Sequence, residues 1–260
     1  MRFSGKVAII TGSGTGIGRD MAIAFAREGA QVTVAARREG LLEETADLAE
    51  RAGGERPLVV PTDITSEEQV EAMVERSVER FGCVDFMINN AAHAGTDLHV
   101  WEQTLENWNQ TLATNLTSQF LVSRACLAHM MPRRSGVILT FSSTAALGPH
   151  ARKSHYTASK SGIFGFTRTL AQEVGPHGIR ANCIVPGAVK TELLTNYWER
   201  IAGERGVDAD VIADEMGQQA ALGRVVEVRE ITGTVMFLCS DDASAITGQM
   251  IRVCAGASMG

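Results

Sequence analysis

A tyrosine and a lysine on one predicted helix have the types and spacing for proton transfer. Tyr156 is one of only two tyrosines in the chain, and Lys160, one of four lysines, follows it by four residues. Residues four apart lie on the same helix face, so both side chains can reach one ligand. A free phenol has a pKa of about 10, too high for proton transfer near neutral pH, and a nearby ammonium would lower it. The pair predicts a general acid/base site, with an exposed helix pair without function as the alternative.

A glycine-rich turn stands near the N-terminus, between a predicted strand and a predicted helix. The sequence is TGSGTGIG, residues 11–18, and its spacing is T-G-x-x-x-G-x-G, with Gly12, Gly16 and Gly18, rather than G-x-G-x-x-G. Such a turn lets main chain approach a pyrophosphate, which then lies at the helix N-terminus. A plain tight turn is the alternative, but the strand and helix on its two sides favour a dinucleotide site.

Two arginines follow the second predicted strand. An NAD site usually places a carboxylate about 20 residues after the first glycines, to bind the ribose 2′-hydroxyl. Here the strand ends at Ala36, and Arg37 and Arg38 follow. A guanidinium matches a phosphate bidentately, so we expect NADP(H) to be favoured over NAD(H). Solvated loop charges that pair with Glu39 or Glu43 are the alternative.

Short apolar strands alternate with longer helical patterns along the whole chain. The predicted strands cover residues 6–10, 31–36, 58–60, 84–88, 136–141, 179–185 and 250–253; the predicted helices cover 17–28, 40–51, 108–131, 156–174 and 228–238. One more helix opens at Ser66, with Gln69 completing a capping box, and Pro132 is expected to end the long fourth helix. This alternation predicts the α/β class, as one doubly wound Rossmann-type domain over residues 1–260 with a central parallel sheet and helices on both faces.

Composition excludes several classes of protein. The 260 residues carry a net charge of -6, which argues against a nucleic-acid partner, because such a protein needs a basic face. No apolar run approaches the roughly 20 residues of a membrane span, and the N-terminal apolar stretch is too short for a signal peptide, so we expect a cytoplasmic protein without a membrane partner. The five cysteines and six histidines show no C-x-x-C or H-E-x-x-H spacing, so no metal site is expected and the cysteines are expected to be reduced.

A set of motifs gives the chain a resemblance to a known family. The motifs are TGSGTGIG (11–18), INNAAHAG (88–95), ATNLTS around Asn115, FSS (141–143), YTASK (156–160) and PGAVKT (186–191). Their order resembles that of the short-chain dehydrogenases/reductases over essentially the whole chain.

The resemblance implies four catalytic residues. Tyr156 would be the general acid/base, assisted by a positively charged nicotinamide, and Ser143 would hydrogen-bond the same substrate oxygen. Lys160 would hold the nicotinamide ribose and lower the tyrosine pKa. Asn115 would keep a water molecule in a proton relay behind the lysine.

The resemblance also implies how the cofactor is held. Asp63 and Ile64 would contact the adenine, Asn90 would line the cofactor, and Val189 and Thr191 would meet the carboxamide and the phosphates. The complete expected cofactor-binding set is Gly12, Ser13, Thr15, Gly16, Ile17, Gly18, Arg37, Asp63, Ile64, Asn90, Tyr156, Lys160, Val189 and Thr191.

The chain departs from the family pattern at three places. Ala92 occupies the glycine position of Asn-Asn-Ala-Gly, which alanine tolerates if φ stays negative. Two adjacent serines, Ser142 and Ser143, compete for the catalytic role, and spacing to the tyrosine favours Ser143. The C-terminal Val-Asp-Gly-Gly of the family is replaced by VCAG, residues 253–256, which affects the expected subunit contacts or pocket floor.

These observations predict an oxidoreductase that transfers hydride between NADP(H) and a small-molecule substrate, a ketone or secondary alcohol. The same chemistry with NAD(H) is one alternative, and a dinucleotide-binding sensor without turnover is another. The apolar residues Phe120, Leu121, Ile163, Phe164 and Phe166 lie on two helices whose second face needs a partner, and with the resemblance they predict a homotetramer.

A lid over the substrate is expected at residues 192–217. Its first half is apolar, from Leu193 to Ile201, and its glycines at 203 and 206 are expected to permit a hinge. A rigid helical pair with ordinary packing fits the same periodicity.

Overall fold

A computed structural model describes residues 1–259, apart from the side chain of Leu193; the expected domain end at Gly260 lies outside the described residues. Across this part of the chain, seven parallel strands form one sheet in the order β3-β2-β1-β4-β5-β6-β7. The strands are β1 (Val7–Thr11), β2 (Gln31–Ala36), β3 (Leu58–Pro61), β4 (Phe86–Asn89), β5 (Gly136–Phe141), β6 (Ile179–Pro186) and β7 (Met250–Val253). The strand order reverses between β1 and β4, which opens a crevice at their carboxyl ends.

Helices cover both faces of the sheet. They are α1 (Gly16–Arg27), α2 (Glu39–Arg51), α3 (Glu67–Phe81), α4 (Leu105–Leu112), α5 (Ser118–Arg133), α6 (Ser154–Val174), α7 (Glu192–Arg205), α8 (Ala209–Gln218) and α9 (Val228–Cys239). The core on one face joins the sheet to α1, α2 and α9. The core on the other face joins it to α3, α5 and α6. The α/β fold class predicted from the alternation is confirmed.

The long fourth helix differs from its prediction. It begins at Leu105 and contains a π-helical turn, Ala113–Thr117, between α4 and α5. Pro132 does not end it, because a proline in the last turn leaves the earlier hydrogen bonds intact. The helix continues to Arg133, and Arg134 closes it in the left-handed conformation with φ of +52°.

The capping box predicted at α3 is half correct. The Ser66 hydroxyl accepts a hydrogen bond from the Gln69 N–H at 3.3 Å. The Gln69 side chain, however, accepts from the N–H of Asp63 at 2.9 Å instead of returning to Ser66. It therefore fixes the loop after β3 as well as the helix start.

Residues 192–217 form two packed helices, α7 and α8. They enclose a small core of their own around Trp198, Ala202 and Ile212. The two glycines at which the hinge is predicted have different positions in this pair. Gly203 lies inside α7, and Gly206 ends α7 with φ of +66°, because that left-handed position favours glycine.

Within residues 1–259, we find no helix with the length and apolarity needed to cross a membrane. The same part of the chain contains no cluster of three or more histidine, cysteine, aspartate or glutamate side chains suited to a metal ion.

Candidate active site

The glycine-rich turn lies at the carboxyl end of β1 and leads directly into α1. Gly12 and Gly16 have positive φ angles of +68° and +54°. A Cβ atom on Gly12 would lie 2.7 Å from Cα of Ala91, and one on Gly18 would collide with the carbonyl oxygen of Gly12. Side chains at Gly12 and Gly18 would therefore strike main chain, so the tight shape of the turn requires glycine at both.

The N-terminus of α1 is free to bind an anion. Thr15 is the N-cap residue, and among the described residues its side chain makes no capping hydrogen bond. The first N–H groups of the helix therefore remain available to a phosphate. Thr191 stands opposite, since a Cβ atom on Gly16 would lie 3.5 Å from its Cγ2. Ile17 packs against the core. This turn fits the pyrophosphate of a dinucleotide.

Asn90 holds the glycine turn in shape. Its Nδ2 donates to the carbonyl oxygens of Thr11 at 3.0 Å and Gly12 at 3.2 Å. In return, the Thr11 hydroxyl accepts from the N–H groups of Asn90 at 3.1 Å and Ala91 at 3.2 Å. The carboxyl ends of β1 and β4 are thus fastened together at the crevice.

Ser13 belongs to the sheet rather than to the crevice. Its buried hydroxyl donates to the carbonyl of Ile10 at 3.0 Å and accepts from the N–H of Ala35 at 2.9 Å. Ser13 is among the residues expected to bind the cofactor. Because its hydroxyl is used within the sheet, it can bind the cofactor only through its main chain.

The ends of β2 and β3 carry an exposed arginine and a fixed aspartate. Arg37 is exposed and makes no ion pair with any residue described, while Glu43 pairs with Arg56 at 2.5 Å. Asp63 accepts from the N–H and hydroxyl of Thr65 at 3.0 and 2.7 Å. These bonds lower the pKa of Asp63, and the nearby Arg37 charge lowers it further. Ile64, the next residue, is buried.

The structure brings Tyr156, Lys160 and Ser143 together at the carboxyl end of β5. Nζ of Lys160 lies 5.7 Å from the centroid of the Tyr156 ring. The Ser143 hydroxyl lies near the Tyr156 phenol and acts on its pKa. The neighbouring Ser142 is instead buried and donates to the main-chain carbonyl of Lys160 at 2.7 Å. Ser143 is therefore the serine that faces the site.

Lys160 is buried, and its ammonium is held by main chain. Nζ donates to the carbonyl oxygen of Phe141 at 2.9 Å. Burial lowers the pKa of Lys160 to about 8, and the nearby Cys183 thiol opposes this weakly. Because Lys160 stays mostly protonated at neutral pH, it brings a positive charge under the site.

The expected lowering of the Tyr156 pKa is not found in the protein by itself. Burial of the phenol raises its pKa above the ordinary value, and the nearby Ser143 hydroxyl only partly opposes this. Desolvation therefore outweighs the effect of Ser143, and the phenol keeps its proton near neutral pH.

Asn115, in the π-helical turn, joins two segments of the chain through its side chain. Its side chain accepts from the N–H of His93 at 2.7 Å and donates to the carbonyl of His93 at 2.9 Å and to the hydroxyl of Ser159 at 3.0 Å. These bonds fasten the segment after β4 to α6, close to Tyr156. The main-chain carbonyl of Asn115 accepts from Nε2 of Gln119 at 2.9 Å, and the water relay that the resemblance implies at Asn115 stays a prediction.

Val189 and Thr191 follow β6 on the same edge of the sheet. Val189 is buried and pairs with Val226 in an isolated bridge. The Thr191 hydroxyl caps α7 by accepting from the N–H of Leu194 at 3.4 Å. Both residues therefore border the crevice from the side opposite β2.

Comparison with known proteins identifies the family. The family model described as enoyl-(acyl carrier protein) reductase matches residues 12–258. The short chain dehydrogenase/reductase astE of Aspergillus oryzae is 36% identical, over 98% of this chain and 95% of its own. The chain belongs to the short-chain dehydrogenase/reductase family. It is also 34% identical to the 3-oxoacyl-[acyl-carrier-protein] reductase FabG of Escherichia coli over the full length of both chains.

Solved structures of this family have the same fold. NAD+-bound xylitol dehydrogenase superposes with a TM-score of 0.91 at 30% identity, over 98% of this chain and 100% of its own. A variant of actinorhodin polyketide ketoreductase with NADPH gives 0.92 at 33% identity, over 99% and 98%. The chain is thus an NAD(P)-dependent oxidoreductase that acts on CH–OH and C=O groups.

The departures from the family pattern have local explanations. The backbone at Ala92 avoids the left-handed region, so alanine is tolerated there, as expected. Ala255, in contrast, has φ of +52°, where glycine would be unstrained. Cys254 packs against Gly187, whose added Cβ would lie 2.8 Å from the cysteine Cβ. The C-terminal departure therefore contacts the start of the PGAVKT motif.

Two polar residues near this dehydrogenase/reductase site, Gln103 and Gln119, are not among those predicted from the sequence. His155 and Gln103 are joined at 2.7 Å between Nδ1 and Nε2, and His155 Nε2 contacts the Ala94 carbonyl at 3.1 Å. Gln119 lies buried beside Asn115. A signal existed for Gln119, because Asn115, Gln119 and Ser123 recur every four residues and form a polar stripe on a helix face that is otherwise buried.

Proposed function

We propose that this enzyme transfers hydride between NADP(H) and a ketone or secondary alcohol, with Tyr156 as the general acid/base. The observation that carries the proposal is the position of the Tyr156 phenol beside the Ser143 hydroxyl, with the buried Lys160 ammonium 5.7 Å from its ring centroid. A phenol flanked by a hydroxyl and an ammonium can give a proton to a carbonyl oxygen or take one from an alcohol.

Each residue of the site has a part in carbonyl reduction. A nicotinamide cofactor bound in the crevice would supply the hydride for the carbonyl carbon. Tyr156 donates its proton to the carbonyl oxygen, and the Ser143 hydroxyl hydrogen-bonds that oxygen and fixes its position. The Lys160 ammonium stabilises the phenolate that remains. In alcohol oxidation the same groups act in reverse.

The raised pKa of Tyr156 favours the reductive direction in the protein by itself. A phenol that holds its proton at neutral pH is ready to donate, whereas oxidation needs the phenolate. A positively charged nicotinamide would favour the phenolate, so the oxidised cofactor itself would prepare the site for oxidation.

The choice of NADP(H) rests on Arg37. Its exposed guanidinium follows β2, where an adenine ribose would lie, and its charge acts on both Asp63 and His93 across the crevice. Neighbouring structures hold NAD+ in one case and NADPH in another, so the fold accepts both. The residues that would hold the rest of the cofactor are the glycine turn, Asp63, Asn90, Lys160 and Thr191.

Replacement of Tyr156 by phenylalanine tests the proposal. Tyr156→Phe keeps the ring and removes the proton donor, so kcat for ketone reduction should fall by about 10²–10⁴-fold while NADPH binds as before. Thr169→Val removes an exposed hydroxyl from the same helix and serves as the control, with wild-type kcat expected. A panel of ketones and alcohols, followed by absorbance of the reduced cofactor, supplies the substrate. Tyr156→Phe with a tenth or more of the wild-type rate would contradict the assignment.

A further inference from the structure

Gln119 is a buried polar residue that the reaction as described does not use. It lies in the first turn of α5 and is only 1% exposed. Its Nε2 donates to the carbonyl oxygen of Asn115 at 2.9 Å and to that of Phe141 at 3.2 Å. The Phe141 oxygen is the same atom that accepts from Nζ of Lys160 at 2.9 Å. One carbonyl therefore serves both the amide of Gln119 and the ammonium of Lys160.

Phe141 pairs with Ile184 on β6 but has no paired residue on its β4 side. The last residue pair between β4 and β5 is Asn89–Thr140, and Phe141 lies one residue beyond it. A buried carbonyl needs a hydrogen-bond donor, and at Phe141 the donors come from two side chains. The end of β4 thus creates the point at which Gln119 and Lys160 meet.

Burial of the Gln119 side chain lowers the stability of the fold in a way that burial of an apolar side chain would not. Within the described residues, its Oε1 is buried and has no hydrogen-bond partner. An unsatisfied buried acceptor is destabilising, whereas leucine or methionine of similar volume would have no such group. Packing therefore does not account for glutamine here, and the two N–H bonds of its amide do.

We propose that Gln119 is a positioning residue for Lys160. The Gln119 amide shares the Phe141 carbonyl with the Lys160 ammonium and so limits how tightly that carbonyl binds the ammonium. The proposal rests on the function proposed above, in which Lys160 stabilises the Tyr156 phenolate. The amide turns its positive end toward the oxygen that the ammonium also binds. Lys160 is then left with donors that can turn toward Tyr156 and the cofactor ribose.

Sharing the carbonyl has a direct electrostatic consequence. The amide hydrogens oppose the ammonium and weaken its bond to Phe141, which adds to the effect of burial on the pKa of Lys160. The titratable groups that face Lys160 are Tyr156 on its own helix and Cys183 on β6. Neither is changed when Gln119 is replaced, so a change in Lys160 titration reports on the amide.

NMR titration of the lysine side chains tests this in the protein alone. The chain has only four lysines, so the 13Cε signal of Lys160 is assignable by comparison with a Lys160→Met sample. In wild type we expect a pKa of about 8. In Gln119→Met, the whole carbonyl becomes available to the ammonium, and the pKa of Lys160 should rise by roughly 0.5 or more. Gln119→Leu provides a second apolar replacement if the methionine variant is unstable.

The matched control is Ser118→Ala. Ser118 is the next residue, is equally buried, and donates only to the Thr114 carbonyl of its own helix, at 2.5 Å. The Ser118→Ala substitution should leave the pKa of Lys160 at its wild-type value. An unchanged pKa of Lys160 in both Gln119 variants, with only a lowered Tm, would make Gln119 a core residue and overturn the proposal. An ordinary lysine pKa in wild type would overturn it as well.

Kinetics provide the second readout. A Lys160 with a higher pKa carries its positive charge more fully and favours the Tyr156 phenolate. In Gln119→Met, the acidic limb of the pH profile of kcat/KM for alcohol oxidation should therefore move to lower pH. In Ser118→Ala, this limb should stay in place. The two proposals fail separately. If wild type reduces no ketone, the proposed function fails, while the NMR titration still decides the role of Gln119.

Discussion

At the scale of single residues, Arg37 decides between two cofactors that differ by one phosphate. We expect Arg37→Asp to weaken NADPH binding by about 1.5–3 kcal/mol, the range of a charge-assisted hydrogen bond, and to favour NADH. Arg38→Asp makes the same charge change one residue later, at the N-cap of α2, and should weaken NADPH binding less. Fluorescence titration with both cofactors measures the effect. Tighter binding of NADH than of NADPH by wild type would rule out the assignment.

A second residue-scale prediction concerns the stability cost of Lys160. Its folded-state pKa of about 8 lies below the unfolded value of about 10.4, so the folded protein binds the proton more weakly. Below pH 8 both states are charged, and the folded state bears a cost of about 3 kcal/mol. Between pH 8 and about 10.4 the folded state loses its proton first, and the cost disappears.

Lys160→Met should therefore raise Tm by several degrees at pH 7 and have little effect above about pH 10.5. Activity should be lost, since the ammonium is part of the site. Lys190→Met, at an exposed lysine, is the control and should not alter Tm in this pH-dependent way. Scanning calorimetry from pH 6 to 11 measures both; a lower Tm for Lys160→Met at pH 7 would be the contrary result.

The sequence predicts some residues of this site better than others. Tyr156 and Lys160 are four apart on one helix, so local spacing is enough to place them together. The role of Gln119 depends on where β4 ends and on a carbonyl of β5, 22 residues away in sequence. The pKa of Tyr156 depends on how much protein surrounds the phenol, and only the packed structure gives this.

At the scale of elements, strands were easier to predict than helix irregularities. Buried parallel strands read as short continuous apolar runs, and β2, β5 and β7 have the predicted bounds. The spacing of apolar residues in the sequence does not reveal the π-helical turn at Ala113–Thr117. Its site at Asn115 agrees with the tendency of such turns to occur at functional positions.

The pair formed by α7 and α8 remains our predicted lid. It begins directly after Thr191 and has its own small core, as a body that moves as one unit would. Bending would occur at its two ends, since Gly206 only closes α7. We expect amide exchange in α7 and α8 to slow when cofactor and substrate bind, while α6 stays protected throughout. Equal, strong protection with and without ligand would indicate the rigid helical pair.

At the scale of the whole molecule, we predict a homotetramer from the outer faces of α5 and α6. Leu121 and Ile163 pack into the core, as one face should, while Phe164 and Phe166 are half-buried. Phe120 is 44% exposed. An apolar face that remains open on a chain with a complete core predicts contact with a second copy.

Charge introduced at this face should separate the subunits. Sedimentation at micromolar concentration should give wild type four times the 27.8 kDa of one chain. A tetramer with dihedral symmetry has more than one kind of interface, so Phe120→Glu should give dimers rather than unfolded chains. Leu48→Glu, at a comparably exposed apolar residue on α2, is the control and should sediment as wild type. A wild-type mass near 27.8 kDa would exclude any stable oligomer. If the Phe120→Glu variant is still a tetramer, the interface lies on another face of the molecule.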